Sequence, residues 1–288
     1  MPRARSRFLV ILASIGLATL VLTPLIARQW SKTASWTDGP TPAPPSGHAV
    51  VVAELFTSEG CSSCPPADTV LSTLMHDQPL PSIEVVGLGE HVDNWDHLGW
   101  RDPYSSAAFS ARQSDYSARV FRSGDIYTPQ LIVDGQFEAV GSDIRAVRAA
   151  IVKSASAPKV AVDIDAATPD RGKANIRVRL RAAPGVRLHG NADVVVALVQ
   201  DRVVDDVLRG ENRGRRLSHS AVVRNLTAIA STTSIDRDVS AQTTLAISPL
   251  WNLPNMRAVA FLQERDSRRI LGAASTTLDH STLKEQTR

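Results

Sequence analysis

The chain is poor in cysteine: there are two, and both lie in one tetrapeptide, Cys61-Ser62-Ser63-Cys64. With no second pair, a structural zinc site would lack half of its usual ligands. The patterns GxSxG, HExxH, the phosphate-binding P-loop and the dinucleotide fingerprint are missing, so the enzyme classes they mark find no support. Neither charge sign is in excess, with 32 Lys and Arg against 29 Asp and Glu and a net charge of +3, and no nucleic-acid partner is implied. Aromatic residues make up only 5% of the chain, and no repeat period is evident. What is present, 43% hydrophobic and 21% charged residues over 288 positions, suits a globular protein with room for two domains.

One long uncharged run does occur. Arg3, Arg5 and Arg7 precede residues 8–27, and Arg28 closes the stretch. As a helix, its 20 residues would cross the roughly 30 Å of bilayer hydrocarbon, more than the ~7–15 residues of a signal-peptide core. Residues 1–28 therefore read as a membrane anchor, with a cleaved signal peptide as the alternative. The basic flank belongs in the cytoplasm. Everything after Arg28 is then extracytoplasmic, periplasmic or secreted, where disulfides persist. Residues 29–47, which include Pro40-Thr41-Pro42-Ala43-Pro44-Pro45, read as an extended linker.

The cysteine pair follows an apolar run over 49–56 and precedes Pro65-Pro66-Ala67-Asp68. A strand feeding CxxC at a helix start is the arrangement of a dithiol redox site. The unpaired N–H groups and positive dipole end of that helix favour a thiolate on Cys61, the candidate nucleophile, which the reading requires to be reachable from solvent. Cys64 comes within bridging range and serves as the resolving thiol. A structural disulfide is the competing reading, although a bridge across so short a loop removes little chain entropy. Glu59, beside the pair, would oppose the thiolate, so only a moderate depression of the Cys61 pKa is expected.

Strands are expected at 48–56 and 83–89 and a helix at 66–76, with prolines in its first turn. One or two helices belong within 104–121. Asp134-Gly135 between apolar runs signals a hairpin, and Ser142 or Asp143 can cap a helix carrying Ile144, Val147 and Ile151. After Pro158 the texture changes to short strands without helices, including one at 217–226, which suggests a β-sandwich.

The order β, α, β, α, β, β, α, with CxxC at the first helix, resembles the thioredoxin fold over residues 48–157. The expected architecture is thus an α/β thioredoxin-like domain at 48–157, an all-β sandwich-like domain at 158–279 and a tail at 280–288. In the fold it resembles, a cis proline lies against the dithiol and leaves the preceding backbone free to pair with a substrate chain. Thr128-Pro129 matches that position, a trans proline at a strand start being the alternative. The resemblance also gives Glu54, a carboxylate inside the first strand, the role of a proton shuttle for the resolving cysteine. A structural glutamate bonded to backbone or arginine is its other reading.

The segment 90–104 concentrates His91, Asp93, Trp95, Asp96, His97, Trp100 and Tyr104. It reads as a self-packed loop, as a substrate platform built on Trp95, Trp100 and Tyr104, or as a metal site in which His91 and His97 join a carboxylate, with copper at the cysteines. The charged run at 210–219 reads as a solvated hairpin or as a surface docked on the first domain.

Four stretches together resemble one family, the secreted or membrane-anchored thioredoxin-like proteins called domain of unknown function 1223. They are residues 54–68 around the cysteines, His91-Val92-Asp93-Asn94-Trp95, Tyr127-Thr128-Pro129-Gln130, and 210–219. The resemblance implies no cofactor, and no metal residues are assigned. The expected activity is thiol–disulfide exchange on a protein or small-molecule thiol or disulfide, with membrane contact through residues 8–27. A copper-binding or delivery module and an interaction scaffold with a structural disulfide are the alternatives.

Overall fold

Alternation along the first strand, β1 (Ala49–Thr57), divides the interior. Val51, Ala53 and Leu55 point to one face of the sheet, where they pack with Leu71 and Leu74 of helix α1 (Pro65–Asp77) and Val147 and Ile151 of α3 (Ile144–Ala155). Val52 and Phe56 point to the other face, against Phe109 and Tyr116 of α2 (Ala107–Tyr116). Each such fully buried side chain contributes about 1.5–3 kcal/mol. The computed structural model describes residues 48–278 apart from 171 and 184. The expected anchor, linker and tail lie outside these residues, and among the described ones no helix is long and apolar enough to cross a membrane.

Around β1 the remaining elements of the N-terminal half are β2 (Ile83–His91), a 3-10 turn (Asp93–Leu98), a π-turn (Ser117–Phe121) that extends α2, and the hairpin β3 (Gln130–Val133) and β4 (Phe137–Val140). The hairpin loop is Asp134-Gly135-Gln136; Asp134 and Gly135 both have positive φ, and the N–H of Gln136 closes the turn on the Val133 carbonyl at 3.0 Å. A Cβ on Gly135 would lie 2.0 Å from the carbonyl oxygen of Arg268, so the turn is also pressed against a distant loop. Asp143 caps α3 by accepting from the N–H groups of Arg145 and Ala146.

The C-terminal half supplies β5 (Val162–Asp170), β6 (Lys173–Leu180), β7 (Ala192–Gln200), β8 (Val203–Asp206), β9 (Arg216–His219), β10 (Val222–Thr232), β11 (Val239–Ala246), β12 (Met256–Glu264) and β13 (Ile270–Thr277). Its strands do not form only a separate sandwich. Four of them extend the first sheet into a mixed eight-stranded one, ordered β13-β12-β7-β10-β2-β1-β3-β4. A three-stranded sheet, β11-β6-β5, covers part of it through a core joining Ile176 and Val178 to Val194, Val196, Ala258 and Ala260. The ribbon β8-β9 is the third sheet. The fold is therefore mixed α/β with one large mixed sheet and two smaller ones.

The single strand expected at 217–226 is two strands. Ala221 takes a positive φ and breaks the run, and its carbonyl accepts from the N–H of Gly89 at 2.7 Å. That break leaves β9 packed against α1 and delivers β10 to the edge of β2, where Val222 pairs with Gly89.

Candidate functional site

The chain leaves β1 at Thr57, turns through Ser58-Glu59-Gly60 and enters α1 with Cys64 as its N-cap. Cys61 and Cys64 form a disulfide with Cα atoms 5.4 Å apart. Pro65 and Pro66 occupy the first helical turn, where a missing N–H costs least. The Thr128-Pro129 peptide is cis, and Pro129 is buried beside the bridge's partner residue. The Thr128 hydroxyl donates to Cys61 Sγ at 3.4 Å, and the Thr128 carbonyl lies 3.9 Å from the same sulfur. Ser63 Oγ is 3.3 Å from it.

Solvent access differs from the sequence expectation. Both cysteines are fully buried, at 0% exposure, although Ser62 and Ser63 between them are exposed. Three groups pack on the cysteine turn and its neighbour Thr128. Trp95 packs on Gly60 so closely that a Cβ there would come 2.7 Å from its own, and its indole N–H donates to Thr128 Oγ1 at 2.9 Å. Asn212, itself wholly buried, donates to the carbonyls of Glu59 and Cys61 at 2.8 and 2.9 Å. Glu211 accepts from the N–H of Ser62 at 3.0 Å. The charged run at 210–219 is thus docked on the cysteine turn, one of its two sequence readings.

A buried polar cluster lies beneath. Glu59 accepts from the indole of Trp100 at 2.7 Å and faces His219 Nε2 at 3.3 Å. His219 Nδ1 is 3.6 Å from Asp68, a charge contact too long for a hydrogen bond. Burial opposes a charged imidazole here, but the interactions with Asp68 and Glu59 outweigh it and push the His219 pKa up to about 10. Its charge offsets Glu59, which the sequence reading left to oppose a Cys61 thiolate. His91 stacks edge-on to His219 at 4.9 Å and bonds Asp102 at 2.7 Å, and Asp102 in turn accepts from the N–H of Glu59. Burial works against the Asp102 charge, yet His91 and two backbone N–H groups hold its pKa below the usual carboxylate value.

Other assigned residues lie elsewhere. Glu54 shares the face of Val52 and Phe56, where Arg112 and Tyr116 bond both of its oxygens. It is a structural glutamate paired with an arginine, and no contact links it to the cysteines. Strand parity is the reason: Leu55, not Glu54, points toward α1. Trp100 and Tyr104 are half-buried with their polar tips taken, by Glu59 and by Asp205, so of the proposed platform only Trp95 reaches the Thr128 side of the bridge. Nor does His91 present itself to a metal, since Asp102 holds it, while His97 is exposed. Among the described residues no group of three or more His, Cys, Asp or Glu is placed to hold a metal ion. Asn212 and His219 lie in the 210–219 run, whereas Arg112 carries no sequence signal of its own; the partners of the three lie 151, 160 and 58 positions away.

Comparison with family profiles matches residues 52–263 to the family described as "Protein of unknown function (DUF1223)". The chain belongs to that family. The DUF1223 match runs from β1 to β12, so it takes in both the cysteine turn and the Asn212 loop that closes it. No curated protein matches the chain. A crystal structure of an Agrobacterium tumefaciens protein is similar to this DUF1223 chain with a TM-score of 0.60 and 26% identity, covering 83% of this chain and 99% of the other. HBP35 of Porphyromonas gingivalis is similar with a TM-score of 0.60 and 15% identity over 84% and 80% of the two chains, a likeness of fold alone.

Proposed function

We propose that this chain is an extracytoplasmic thiol–disulfide oxidoreductase whose redox group is the Cys61–Cys64 pair. The single observation that carries the reading is the bridge at the first turn of α1 with the Thr128 hydroxyl and carbonyl at Cys61 Sγ. The portion running from β1 to α3, with sheet order β2-β1-β3-β4, is read as thioredoxin-like, and the three-stranded sheet over β7 and β12 as the sandwich-like part. The extracytoplasmic assignment and membrane attachment rest on Arg3, Arg5, Arg7 and the uncharged run at 8–27.

In the disulfide form a substrate thiolate attacks Cys61 Sγ, forms a mixed disulfide and expels Cys64 as a thiolate. A second substrate thiolate then attacks the substrate sulfur of that bond and releases Cys61 as a thiolate. The substrate leaves as a disulfide, and two electrons rest on the protein as a dithiol. Run backwards, the Cys61 thiolate attacks a substrate disulfide and Cys64 resolves the product. In either direction the leaving or attacking thiolate on Cys61 gains from the α1 N-terminus, and the His219 charge relieves it of repulsion from Glu59. A buried bridge requires the covering groups to yield before a thiol can reach it. No metal or other cofactor enters these steps.

Equilibration with graded mixtures of reduced and oxidised dithiothreitol tests the proposal. Reversible two-electron exchange, lost in Cys61→Ser, is expected, and a mixed disulfide with disulfide-bonded peptide substrates should accumulate in Cys64→Ser, where no second thiol resolves it. A bridge that neither exchanges with small thiols nor supports turnover would assign the pair to a structural role and end the proposal.

A further inference from the structure

Away from the cysteines, a cavity of about 790 Å³ opens between α2 and β10. That volume falls within the range of small-molecule sites. Its charged lining consists of five arginines, Arg112, Arg119, Arg224, Arg265 and Arg268, and one acid, Asp115. Most proteins disperse such charge, since like charges around a cleft repel and the enclosing walls strengthen the field.

The balance of charge around the cavity says what it would hold. Arg112 is matched by Glu54, and Arg265 by Asp193. Asp115 is shared between Arg119 and Arg268, which leaves one of those two guanidinium charges uncompensated. Arg224 donates to the neutral Gln200 and lies 4.4 Å over the ring of Tyr104, and Asp205, which accepts from the Tyr104 hydroxyl, partly offsets its charge. At least one positive charge is thus in surplus at one cavity. Burial of Arg224 works against its own charge, which is the condition an anionic ligand relieves. Phe109, Val223, Leu226 and Trp251 supply an apolar wall beside the arginines. A smaller recess of about 170 Å³ shares Arg112, Arg265 and Arg268 with the cavity and extends the same lining.

We propose that this cleft binds a small organic anion, with Arg224 and Arg268 gripping its oxygens and the apolar wall receiving its carbon skeleton. Guanidinium groups suit carboxylate and phosphate alike, because both present paired oxygens to the planar fork of donors. The site is separate from the redox pair and independent of its activity.

Calorimetric titration of the full chain with two probes, glutarate and phenyl phosphate, at constant ionic strength tests the proposal. Saturable one-to-one binding with a dissociation constant of about 1 mM or tighter is expected for at least one probe. Binding of glutarate alone assigns the site to dicarboxylates, and binding of phenyl phosphate alone to phosphate monoesters. Arg224→Gln and Arg268→Gln should each weaken binding about tenfold, while Arg181→Gln, exposed just past the end of β6 and outside the cleft, should leave it unchanged. Thermal unfolding confirms that each variant folds, and the two single substitutions keep the test valid should a double variant not fold. Absence of binding by both probes, or equal weakening in Arg181→Gln, overturns the proposal.

Discussion

Beneath the cysteine bridge, Glu59 and Asp68 flank His219; on the α2 side of the same strands, Glu54 and Glu90 flank Arg112. Both clusters bury two carboxyl groups around one cation. They differ in the cation. A guanidinium is charged at every pH a protein survives, whereas an imidazole can lose its proton and leave two carboxylates facing each other. In the second cluster even the acids are settled: burial pushes the Glu90 carboxyl well above the carboxylate range, with Arg112 opposing and Glu54 reinforcing the shift. One arginine then balances one carboxylate, and its guanidinium also donates to Tyr116 and Gln263. The polar interior near the disulfide is therefore adjustable, and the one near α2 is fixed.

The sharpest way to break this contrast is to remove the fixed cation. Arg112→Met leaves the Glu54 carboxylate buried without a counter-charge, a loss expected to cost about 3–5 kcal/mol of folding free energy. Urea unfolding at pH 7 measures it. A loss below about 1 kcal/mol would mean that the guanidinium contributes no more than a surface pair does.

The adjustable cluster predicts a pH dependence of definite sign. His219 has a folded pKa of about 10, above its ordinary value of 6.5. The charged form is favoured in the folded state, so its stabilisation is complete below about pH 6.5 and is lost as pH rises through about 10. Unfolding free energy should fall across that window by an amount on the order of 4–5 kcal/mol. In His219→Gln the decline should flatten. Parallel profiles for the two proteins would show that some other group titrates.

These two clusters also show where the sequence stops being informative. The cysteine pair at a strand-to-helix junction, the Asp134-Gly135 hairpin and the Asp143 cap were legible because each depends on a few adjacent residues and their backbone preferences. Proline 129 was placed correctly by its position before β3. Glu54 was visible as a buried acid, and simple alternation puts it on the face of Val52 and Phe56, away from α1. Nothing local, however, discloses that α2 carries Arg112 to it. The joining of the two halves into one sheet rests on a contact between Val222 and Gly89 and on the backbone reversal at Ala221, a residue whose side chain gives no turn signal. Docking of the 210–219 run follows from the same reversal, because it is what leaves β9 against α1 and the Asn212 loop on the cysteine turn.

A smaller effect is expected from the bridge itself. Cys61 and Cys64 are three positions apart, and closing so short a loop stabilises a chain by about 2 kcal/mol. Comparing unfolding of the oxidised protein with that of Cys61→Ala/Cys64→Ala measures this. A cost as large as that of Arg112→Met would place the bridge with the fixed cluster, as a structural staple, and remove the distinction between the two regions.

The smallest change in stability should have a visible kinetic consequence. Asn212 ties its loop to the cysteine turn through two hydrogen bonds to buried carbonyls, so Asn212→Ala should loosen that attachment by about 1–2 kcal/mol. A thiol can attack only when the cover is open, and the open population rises with the loss of those bonds. Reduction of the disulfide by dithiothreitol should then run about tenfold faster in the variant. Cys64 and the α1 N-terminus are untouched by the substitution, so the equilibrium poise of the pair should move far less than the rate. An unchanged rate would direct attention to the other contacts of the bridge, where the Thr128 hydroxyl donates to Cys61 Sγ and the Trp95 indole holds that hydroxyl. In that case Trp95→Ala, which opens the Thr128 side without touching the 210–219 loop, becomes the variant that accelerates reduction.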